Sequence, residues 1–245
     1  LIDNFYTQRY FSYLNINKKK ISLIDSDVRD VNFNKLGKEF DFFIHLSAIT
    51  NAAESFKIKN KLKNNNLNGT KKVVGFCKKT KIKLIFPSST SVYGKKFETI
   101  NSSNNMKDLF AQSPYAETKI MEEKYIRKHL TNFVILRLGT IVGVSSGMRF
   151  HTAVNKFCFQ ASLHKPLTVW KKFYDKKRPY LNLKDCYTAF SIVAKNNYLK
   201  SQTLDVVTKN YTVREIIEMI SKIKKTKIKF VNSEILNQNS YEVDS

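Results

Sequence analysis

The chain has 245 residues, of which 42% are hydrophobic and 18 are phenylalanine, so it can bury a sizeable core and is not intrinsically disordered. Its formal net charge is +23, with 43 basic residues against 20 acidic ones. No apolar run approaches the ~20 residues that a membrane-spanning helix requires, so we predict no association with a membrane.

The positive charge is mostly lysine, and it is spread over predicted helices together with abundant asparagine and isoleucine. Proteins that bind single strands interleave basic and aromatic residues so that bases can stack, and this chain lacks that pattern. We therefore interpret the charge as solvated surface and predict no nucleic-acid partner. The alternative, nucleic-acid binding, predicts an affinity that falls steeply with salt.

Cysteine and histidine usage is sparse. Cys77, Cys158 and Cys186 are widely spaced and form no C-x-x-C motif, which is typical of a reducing compartment. The four histidines show no metal-ligand spacing, so no metal site is predicted. The first residues show no signal-peptide pattern, and we predict a cytoplasmic protein.

The predicted elements begin with the end of a strand at residues 1–4, which has an acidic tip. In dinucleotide-binding folds, an acid after the second strand binds the adenosine ribose, and an acid there favours NAD over NADP. Asp3 and its neighbour Asn4 are therefore candidate cofactor-binding residues, with a turn aspartate as the alternative reading of Asp3. The glycine-rich turn that should precede this acid by about 20 residues is absent from the sequence. We therefore expect a fragment that lacks the first strand and first helix of the fold.

Two more strands and a long helix follow. Residues 21–25 predict a strand, and residues 41–48 predict a buried strand that ends in small residues. Small side chains at a strand end allow a ligand to approach the backbone closely. His45, inside the second run, is expected to be a packed core histidine. Residues 57–80 predict a long polar helix.

The stretch from residue 83 to residue 119 carries the clearest chemical signal. Residues 83–94 predict a buried strand whose carboxyl end opens into a loop with small hydroxyl side chains. Ser113 is a predicted N-cap and Pro114 suits the first helical position, so a helix is predicted from Pro114 to about Leu130. The polar residues 97–112 form a predicted loop between them, a common place for substrate contacts.

Tyr115 and Lys119 are four residues apart, so they share one face of this helix. A free tyrosine has a pKa of ~10, too high for a base at neutral pH, and a nearby ammonium lowers that pKa. A phenolate beside a substrate hydroxyl is a general base, and Ser89 at the strand end could hold the same hydroxyl. The spacing alone is a weak signal, because lysine is common and Tyr180 and Lys184 repeat it.

The rest of the chain continues the alternation of strands and helices. We predict strands at residues 132–139, 167–170, 203–207 and 227–231, and helices at residues 151–163, 185–196 and from 212 onward. Asp185 is the predicted cap of its helix, and the run from Thr212 to Glu215 is typical of a capping box. No internal repeat or interdomain linker is present in the sequence.

In chain order, these motifs are a strand, Ser-Ser, Val-Tyr-Gly and then Ser-Pro-Tyr-x-x-x-Lys at the start of a helix. This order resembles the extended short-chain dehydrogenases/reductases, the family of NAD-dependent nucleotide-sugar epimerases and dehydratases, and the resemblance covers nearly the whole chain. It implies that Ser89, Tyr115 and Lys119 are catalytic. Tyr115 would take the proton, Ser89 would orient the hydroxyl, and Lys119 would hold the cofactor ribose and lower the tyrosine pKa.

The resemblance implies NAD as the cofactor. Asp27 and Val28 take the places of an acid and an aliphatic residue that touch the adenine, while a helix N-cap role is natural for Asp30. The backbone of residues 46–48 would pass over the cofactor, and Asn66 would support the catalytic strands or the cofactor loop. The implied cofactor-binding residues are Asp3, Asn4, Asp27, Val28, Leu46, Ser47, Ala48, Asn66, Tyr115 and Lys119.

The resemblance also implies a nucleotide-sugar substrate. The implied substrate-binding residues are Ser91, Thr140, Asn155 and Arg178. A guanidinium binds phosphate oxygens bidentately, as lysine cannot, which favours Arg178 as the diphosphate clamp. The chain departs from the family pattern at Val142 and Val144, and Asn239 stands in place of a substrate-binding arginine.

Together these features predict an α/β protein with a Rossmann-like doubly wound parallel sheet and a small C-terminal substrate lobe. We expect residues 1–245 to form a single unit. Its NAD-binding part would be residues 1–146 plus 181–207, and its substrate lobe residues 147–180 and 208–245.

The predicted function is that of an NAD-dependent epimerase, or a related dehydrogenase/reductase, acting on a nucleotide-activated sugar. The 4,6-dehydratases of the family typically carry Thr-Asp-Glu before Val-Tyr-Gly, where this chain has Ser89-Thr90-Ser91, so a dehydratase is less favoured. The alternative is a non-catalytic fragment or remnant that binds a nucleotide-sugar or a partner. The resemblance also implies a possible homodimer through the helices near residues 57–80 and 114–130.

Overall fold

The computed structural model describes residues 1–7, 10–14, 17–36, 40–94, 99–100, 106, 109–197, 200–232 and 242–243. The strands are β1 (Ile2–Asp3), β2 (Ile24–Asp25), β3 (Phe42–Ile44), β4 (Lys83–Ser89), β5 (Thr99–Ile100), β6 (Phe133–Leu138), β7 (Thr140–Val142), β8 (Leu167–Trp170), β9 (Lys177–Asn182), β10 (Gln202–Val206), β11 (Lys209–Thr212), β12 (Ile228–Val231) and β13 (Glu242–Val243). The helices are α1 (Phe11–Leu14), α2 (Lys59–Thr80), α3 (Pro114–His129), α4 (Ala153–Ser162), α5 (Leu183–Lys195) and α6 (Val213–Ile223).

The central sheet has four parallel strands in the order β10-β6-β4-β3. All six residues of β6 are buried, as expected for an inner strand of a parallel sheet covered on both faces. On one face lies a core that includes Val73 and Val74 of α2 and Ile126 of α3. On the other face a second core includes Cys186 and Val193 of α5. The sheet is therefore sandwiched between helices, as the sequence predicts.

Strands β1 and β2 form a separate parallel pair, with Ile2 opposite Ile24 and Asp3 opposite Asp25. Ile2 and Ile24 pack against the same core as α2, so the pair is anchored on the α2 side of the fold. The predicted strand at residues 21–25 is shorter in the structure, because β2 has a ladder partner only where it faces Ile2 and Asp3.

The C-terminal half adds two small sheets, with strand orders β11-β9-β7 and β12-β8. A third core joins them to α4 and α6 through residues such as Phe157, Leu167 and Ile216. Helix α6 begins with the predicted capping box, in which Thr212 and Glu215 exchange side-chain-to-backbone hydrogen bonds. Among the residues that the structure describes, no helix is both long and apolar enough to cross a membrane.

Other boundaries also differ from the sequence predictions. β3 ends at Ile44, since the ladder with β4 stops there except for a bond from the His45 amide to the Ile85 carbonyl. The prediction that Asp185 caps α5 is wrong. Asn182 caps α5 by accepting from the Lys184 amide, while Asp185 accepts from the Thr208 hydroxyl. Asn239 lies outside the described residues.

Candidate active site

The carboxyl ends of β3, β4 and β6 meet at one edge of the central sheet, because these strands are parallel and adjacent. Ser47 follows β3, Ser89 ends β4, and Thr140 comes two residues after β6. Ligands of open α/β sheets bind outside this edge. The candidate site is therefore built on the carboxyl ends of three adjacent strands of the central sheet, of which β6 is fully buried.

Helix α3 presents Tyr115 and Lys119 to the end of β4. Ser113 caps the helix by accepting a 3.1 Å hydrogen bond from the Ala116 amide, and Pro114 stands in its first turn. Ser89 at the end of β4 acts on the Tyr115 hydroxyl and lowers its pKa, so helix α3 and the strand end face the same group. Lys119 Nζ donates to the Pro87 carbonyl of β4 at 3.2 Å. The structure thus brings together the three residues that the sequence predicts to be catalytic.

The pKa of Tyr115 is raised above its ordinary value, mainly because burial disfavours the phenolate. The ammonium of Lys119 lowers the pKa, as predicted, but does not outweigh the burial. The guanidinium of Arg149 and the hydroxyl of Ser89 also lower the pKa, whereas the carboxylate of Glu122 raises it. In this structure the phenol is therefore protonated at neutral pH, and an added positive charge would favour its ionisation.

A buried chain of polar contacts runs from Lys119 and Glu122 of α3 through Thr70 of α2 to His45, the residue after β3. Lys119 Nζ is 3.2 Å from Glu122 Oε2, and Glu122 Oε1 accepts a 2.5 Å bond from the Thr70 hydroxyl of α2. Thr70 Oγ1 is in turn 3.1 Å from His45 Nε2. His45 is buried as predicted, and burial, together with the charge of Lys119, lowers its pKa to about 3.

Glu123, the residue after Glu122 on α3, belongs to a second buried hydrogen-bond network. Arg137 of β6 donates to both carboxylate oxygens of Glu123, from Nε at 3.1 Å and from Nη2 at 2.7 Å. Ser88 donates to Glu123 Oε1 at 2.5 Å, and Arg137 Nη1 donates to the Tyr93 hydroxyl at 2.9 Å. Tyr93 then donates to Asp205 of β10. This network ties α3 to three neighbouring strands of the central sheet.

The candidate adenosine contacts lie at the ends of β1 and β2. Asp3 and Asn4 are exposed, and Asn4 Nδ2 donates to Asp27 Oδ2 at 3.1 Å. Hydrogen bonds from Arg29 lower the pKa of Asp27. Val28 is buried against Gly69 in the core, so a cofactor contact by Val28 stays a prediction.

Asn66 holds the loop that follows β3. This fully buried side chain accepts from the Ile49 amide at 2.8 Å and donates to the Ile49 carbonyl at 2.9 Å. The loop begins at Leu46, which is 68% exposed, and continues through the half-buried Ser47 and Ala48. The amide of Asn66 therefore fixes the backbone course of the segment predicted to pass over the cofactor.

The candidate substrate contacts lie on several elements. The Ser91 hydroxyl is buried and has no hydrogen-bond partner among the described residues, so it is available to a ligand group. Asn155 of α4 donates to the Arg149 carbonyl at 3.1 Å. This bond ties α4 to the loop that carries Arg149, whose guanidinium lowers the pKa of Tyr115. Thr140 lies on β7, and Arg178 lies on β9 opposite Tyr211 of β11. No group of three or more potential metal ligands occurs in the described ranges.

A sequence profile described as the NAD dependent epimerase/dehydratase family matches residues 6–206, more than half of the chain. The protein belongs to this family. Members of this NAD-dependent epimerase/dehydratase family are enzymes, and the predicted family is confirmed.

Relatives of known name include both chemistries of the family. The chain is 28% identical over 194 residues to a dTDP-D-glucose 4,6-dehydratase of Dictyostelium discoideum. The match covers 74% of this chain but only 44% of that relative, so the chain spans less than half of its length.

Solved structures confirm the doubly wound α/β fold. A UDP-glucuronic acid 4-epimerase from Bacillus cereus, in complex with UDP-glucuronic acid and NAD, superposes with a TM-score of 0.83 at 25% identity. That match covers 99% of this chain and 81% of the other. A UDP-N-acetylglucosamine 4-epimerase from Methanobrevibacter ruminantium M1, in complex with UDP-N-acetylmuramic acid, has a TM-score of 0.88 at 22% identity, with 99% and 80% coverage.

Two charged residues of this epimerase/dehydratase-family site were not predicted from the sequence. Glu122 pairs with Lys119, and Arg149 acts on Tyr115 from the loop after β7. The signal for Glu122 was present, because residues three apart on a helix are neighbours. Nothing in local spacing points to Arg149.

Proposed function

We propose that the protein is an NAD-dependent epimerase that acts on a nucleotide-activated sugar through Ser89, Tyr115 and Lys119. The observation that carries the proposal is that Ser89 and Lys119 both act on the Tyr115 hydroxyl, while the Lys119 ammonium donates to the Pro87 carbonyl of β4 at 3.2 Å. Family membership and the similarity to epimerases with bound UDP-sugars support it.

The described residues fit a dinucleotide at the strand ends. An exposed acid stands at the end of β1, small residues follow β3 on a loop that Asn66 fixes, and a buried lysine lies beside the tyrosine. Asp3, Asn4 and Asp27 would hold the adenosine half, and Tyr115 and Lys119 the nicotinamide half. When bound, NAD supplies the hydride acceptor and donor.

The residues of this chain would then move one proton. The Ser89 hydroxyl accepts a 3.2 Å hydrogen bond from the Ser91 amide at the end of β4, where it can orient a sugar hydroxyl toward Tyr115. Tyr115, as phenolate, takes the proton of that hydroxyl as general base. The positive charges of Lys119 and Arg149 favour the phenolate and partly offset the burial that raises the pKa of Tyr115.

Sugar dehydration is the second candidate, because the Dictyostelium relative is a dehydratase. Elimination of water requires an additional acid and base at the reacting carbons. The strand end offers Ser89, Thr90 and Ser91 in place of acidic side chains, and Glu122 is already paired with Lys119. These features favour epimerisation.

The test is to incubate the full-length protein with NAD and a panel of UDP- and dTDP-sugars and to identify the products by NMR. We expect an epimer of the supplied sugar, and a loss of product in Tyr115→Phe but not in Tyr187→Phe, which alters an exposed tyrosine of α5. A 4-keto-6-deoxy product would favour the dehydratase.

Binding of NAD or a nucleotide-sugar without turnover would support the non-catalytic alternative, and calorimetric titration separates these outcomes. A homodimer through α2 and α3 stays a prediction, which sedimentation velocity would test.

A further inference from the structure

The pairing of Lys119 with Glu122 places a second buried charge beside the candidate site. Lys119 is 3% exposed and Glu122 is fully buried, and their charged atoms are 3.2 Å apart. A buried ion pair is costly to form unless both partners have good geometry and further hydrogen bonds. The contacts around Lys119 and Glu122 therefore determine the role of the ion pair.

Lys119 is held on the strand side of the pocket. Its ammonium donates to the Pro87 carbonyl at 3.2 Å and lies 4.3 Å from the centroid of the Phe86 ring. Both contacts belong to β4, the strand that ends at Ser89. With Glu122 on the helix side, the ammonium is fixed between α3 and β4.

Glu122 is anchored from the opposite direction. The Thr70 hydroxyl donates to Glu122 Oε1, so the Thr70 oxygen is left to accept from His45 Nε2–H. This arrangement places a proton on Nε2, and the burial of His45, with no hydrogen-bond partner for Nδ1 among the described residues, favours the neutral ring. The second carboxylate oxygen, Oε2, takes no hydrogen bond from the described residues and faces only the ammonium at ion-pair distance.

We propose that Glu122 is a positioning residue that fixes the Lys119 ammonium against β4 and sets the pH at which Tyr115 can take a proton. The role of Tyr115 as base rests on the proposed function, but its titration does not. Four groups act on the Tyr115 hydroxyl. They are the cations Lys119 and Arg149, the anion Glu122 and the neutral Ser89.

The direction of the effect follows from these charges. With Glu122 neutralised, two cations face the phenol without an opposing anion, and His45, packed behind Lys119, stays uncharged. The phenolate is then stabilised more strongly, and Tyr115 should ionise at a lower pH. Removal of one nearby charge predicts a shift of about one pH unit.

The experiment is a spectrophotometric titration of the full-length protein without ligands. Tyr115 is isolated by subtracting the phenolate absorbance of Tyr115→Phe from that of the parent, and the same subtraction is made in a Glu122→Gln background. We expect the midpoint to fall by about one pH unit in Glu122→Gln. Glu117→Gln is the matched control, because Glu117 lies on the same helix in an exposed pair with Lys59, and its midpoint should not change.

An unchanged or raised midpoint in folded Glu122→Gln would overturn the proposal. If that variant does not fold, Thr70→Val keeps both charges but removes the donor to Glu122, so the carboxylate acts more strongly on the pocket. The midpoint should then rise by about half a pH unit, and a constant or lower value would overturn the proposal. A shift without any sugar turnover leaves this inference standing and removes the proposed function. Sugar turnover without a shift of the midpoint overturns this inference and leaves the proposed function standing.

Discussion

Two consecutive glutamates of α3 form buried ion pairs in opposite directions. Glu123 faces the sheet, where Arg137 binds both of its oxygens and Ser88 adds a third bond. Glu122 faces the candidate site, where it pairs with Lys119 and its Oε2 takes no hydrogen bond from the described residues. A fully satisfied polar network makes a core rigid, whereas an incompletely satisfied one leaves its charges responsive to what binds nearby.

Replacing Lys119 is expected to have the largest effect on function. Lys119→Met removes the cation beside Tyr115, and we expect turnover of the nucleotide-sugar to fall by about 10²- to 10⁴-fold, the range for loss of general-base catalysis. Steady-state kinetics would measure it, with circular dichroism to confirm folding. Lys124→Met, which changes an exposed lysine of the same helix, should retain full activity. A fully active Lys119→Met variant would contradict the role of Lys119.

Breaking the sheet-facing pair is expected to act on stability instead. Glu123→Gln leaves the Arg137 guanidinium buried without its carboxylate, which should lower the free energy of unfolding by about 3–5 kcal/mol. Denaturant unfolding would measure the loss, and the exposed change Glu117→Gln should stay within about 0.5 kcal/mol of the parent. A loss below about 1 kcal/mol would show that the two pairs do not differ as described.

His45, at the end of the polar chain that starts at Lys119, is expected to make the protein less stable at acidic pH. The pKa of His45 falls from 6.5 to about 3 in the folded protein, because burial and Lys119 disfavour its charged form. Between these values the unfolded chain binds a proton that the folded protein does not, so stability decreases as the pH falls. The slope is about 1.4 kcal/mol per pH unit, or about 2 kcal/mol lost at pH ~5.

His45→Gln should remove this part of the acid sensitivity. Denaturant unfolding at neutral pH and at pH ~5 would measure it, as the difference in slope between variant and parent. His164→Asn, which changes an exposed histidine, is expected to keep the parent's pH dependence. An equal pH dependence in His45→Gln would mean that His45 has the same pKa in the folded and unfolded protein, which would contradict the prediction.

The sequence predicted those features that depend on local order along the chain. The strand, the hydroxyls and the capped helix of the motif placed Ser89, Tyr115 and Lys119 correctly, because strand end and helix start are each encoded within a few residues. The core position of His45 followed from its apolar neighbours.

Contacts between distant elements were not predicted. The bond from Thr70 to Glu122 joins residues 52 apart in sequence, and no spacing rule indicates it. The same holds for the Tyr93 hydroxyl and Asp205, which are 112 residues apart. The prediction of the α5 cap failed because Asn182 and Asp185 are both good caps, and the Asp185 carboxylate accepts instead from the Thr208 hydroxyl, 23 residues away.

The smallest predicted effect concerns the N-cap of α6, which belongs to neither ion pair, and it serves as a reference for the other predicted effects. Thr212→Ala removes the hydroxyl that accepts from the Glu215 amide at 3.1 Å in the capping box of α6. An N-cap substitution of this kind costs about 1 kcal/mol of stability. Glu215→Gln should cost less, because glutamine also serves in a capping box. Denaturant unfolding measures both variants, and neither should move the Tyr115 titration. A moved titration would mean that general loosening of the fold, and not the charge of Glu122, controls the ionisation of Tyr115.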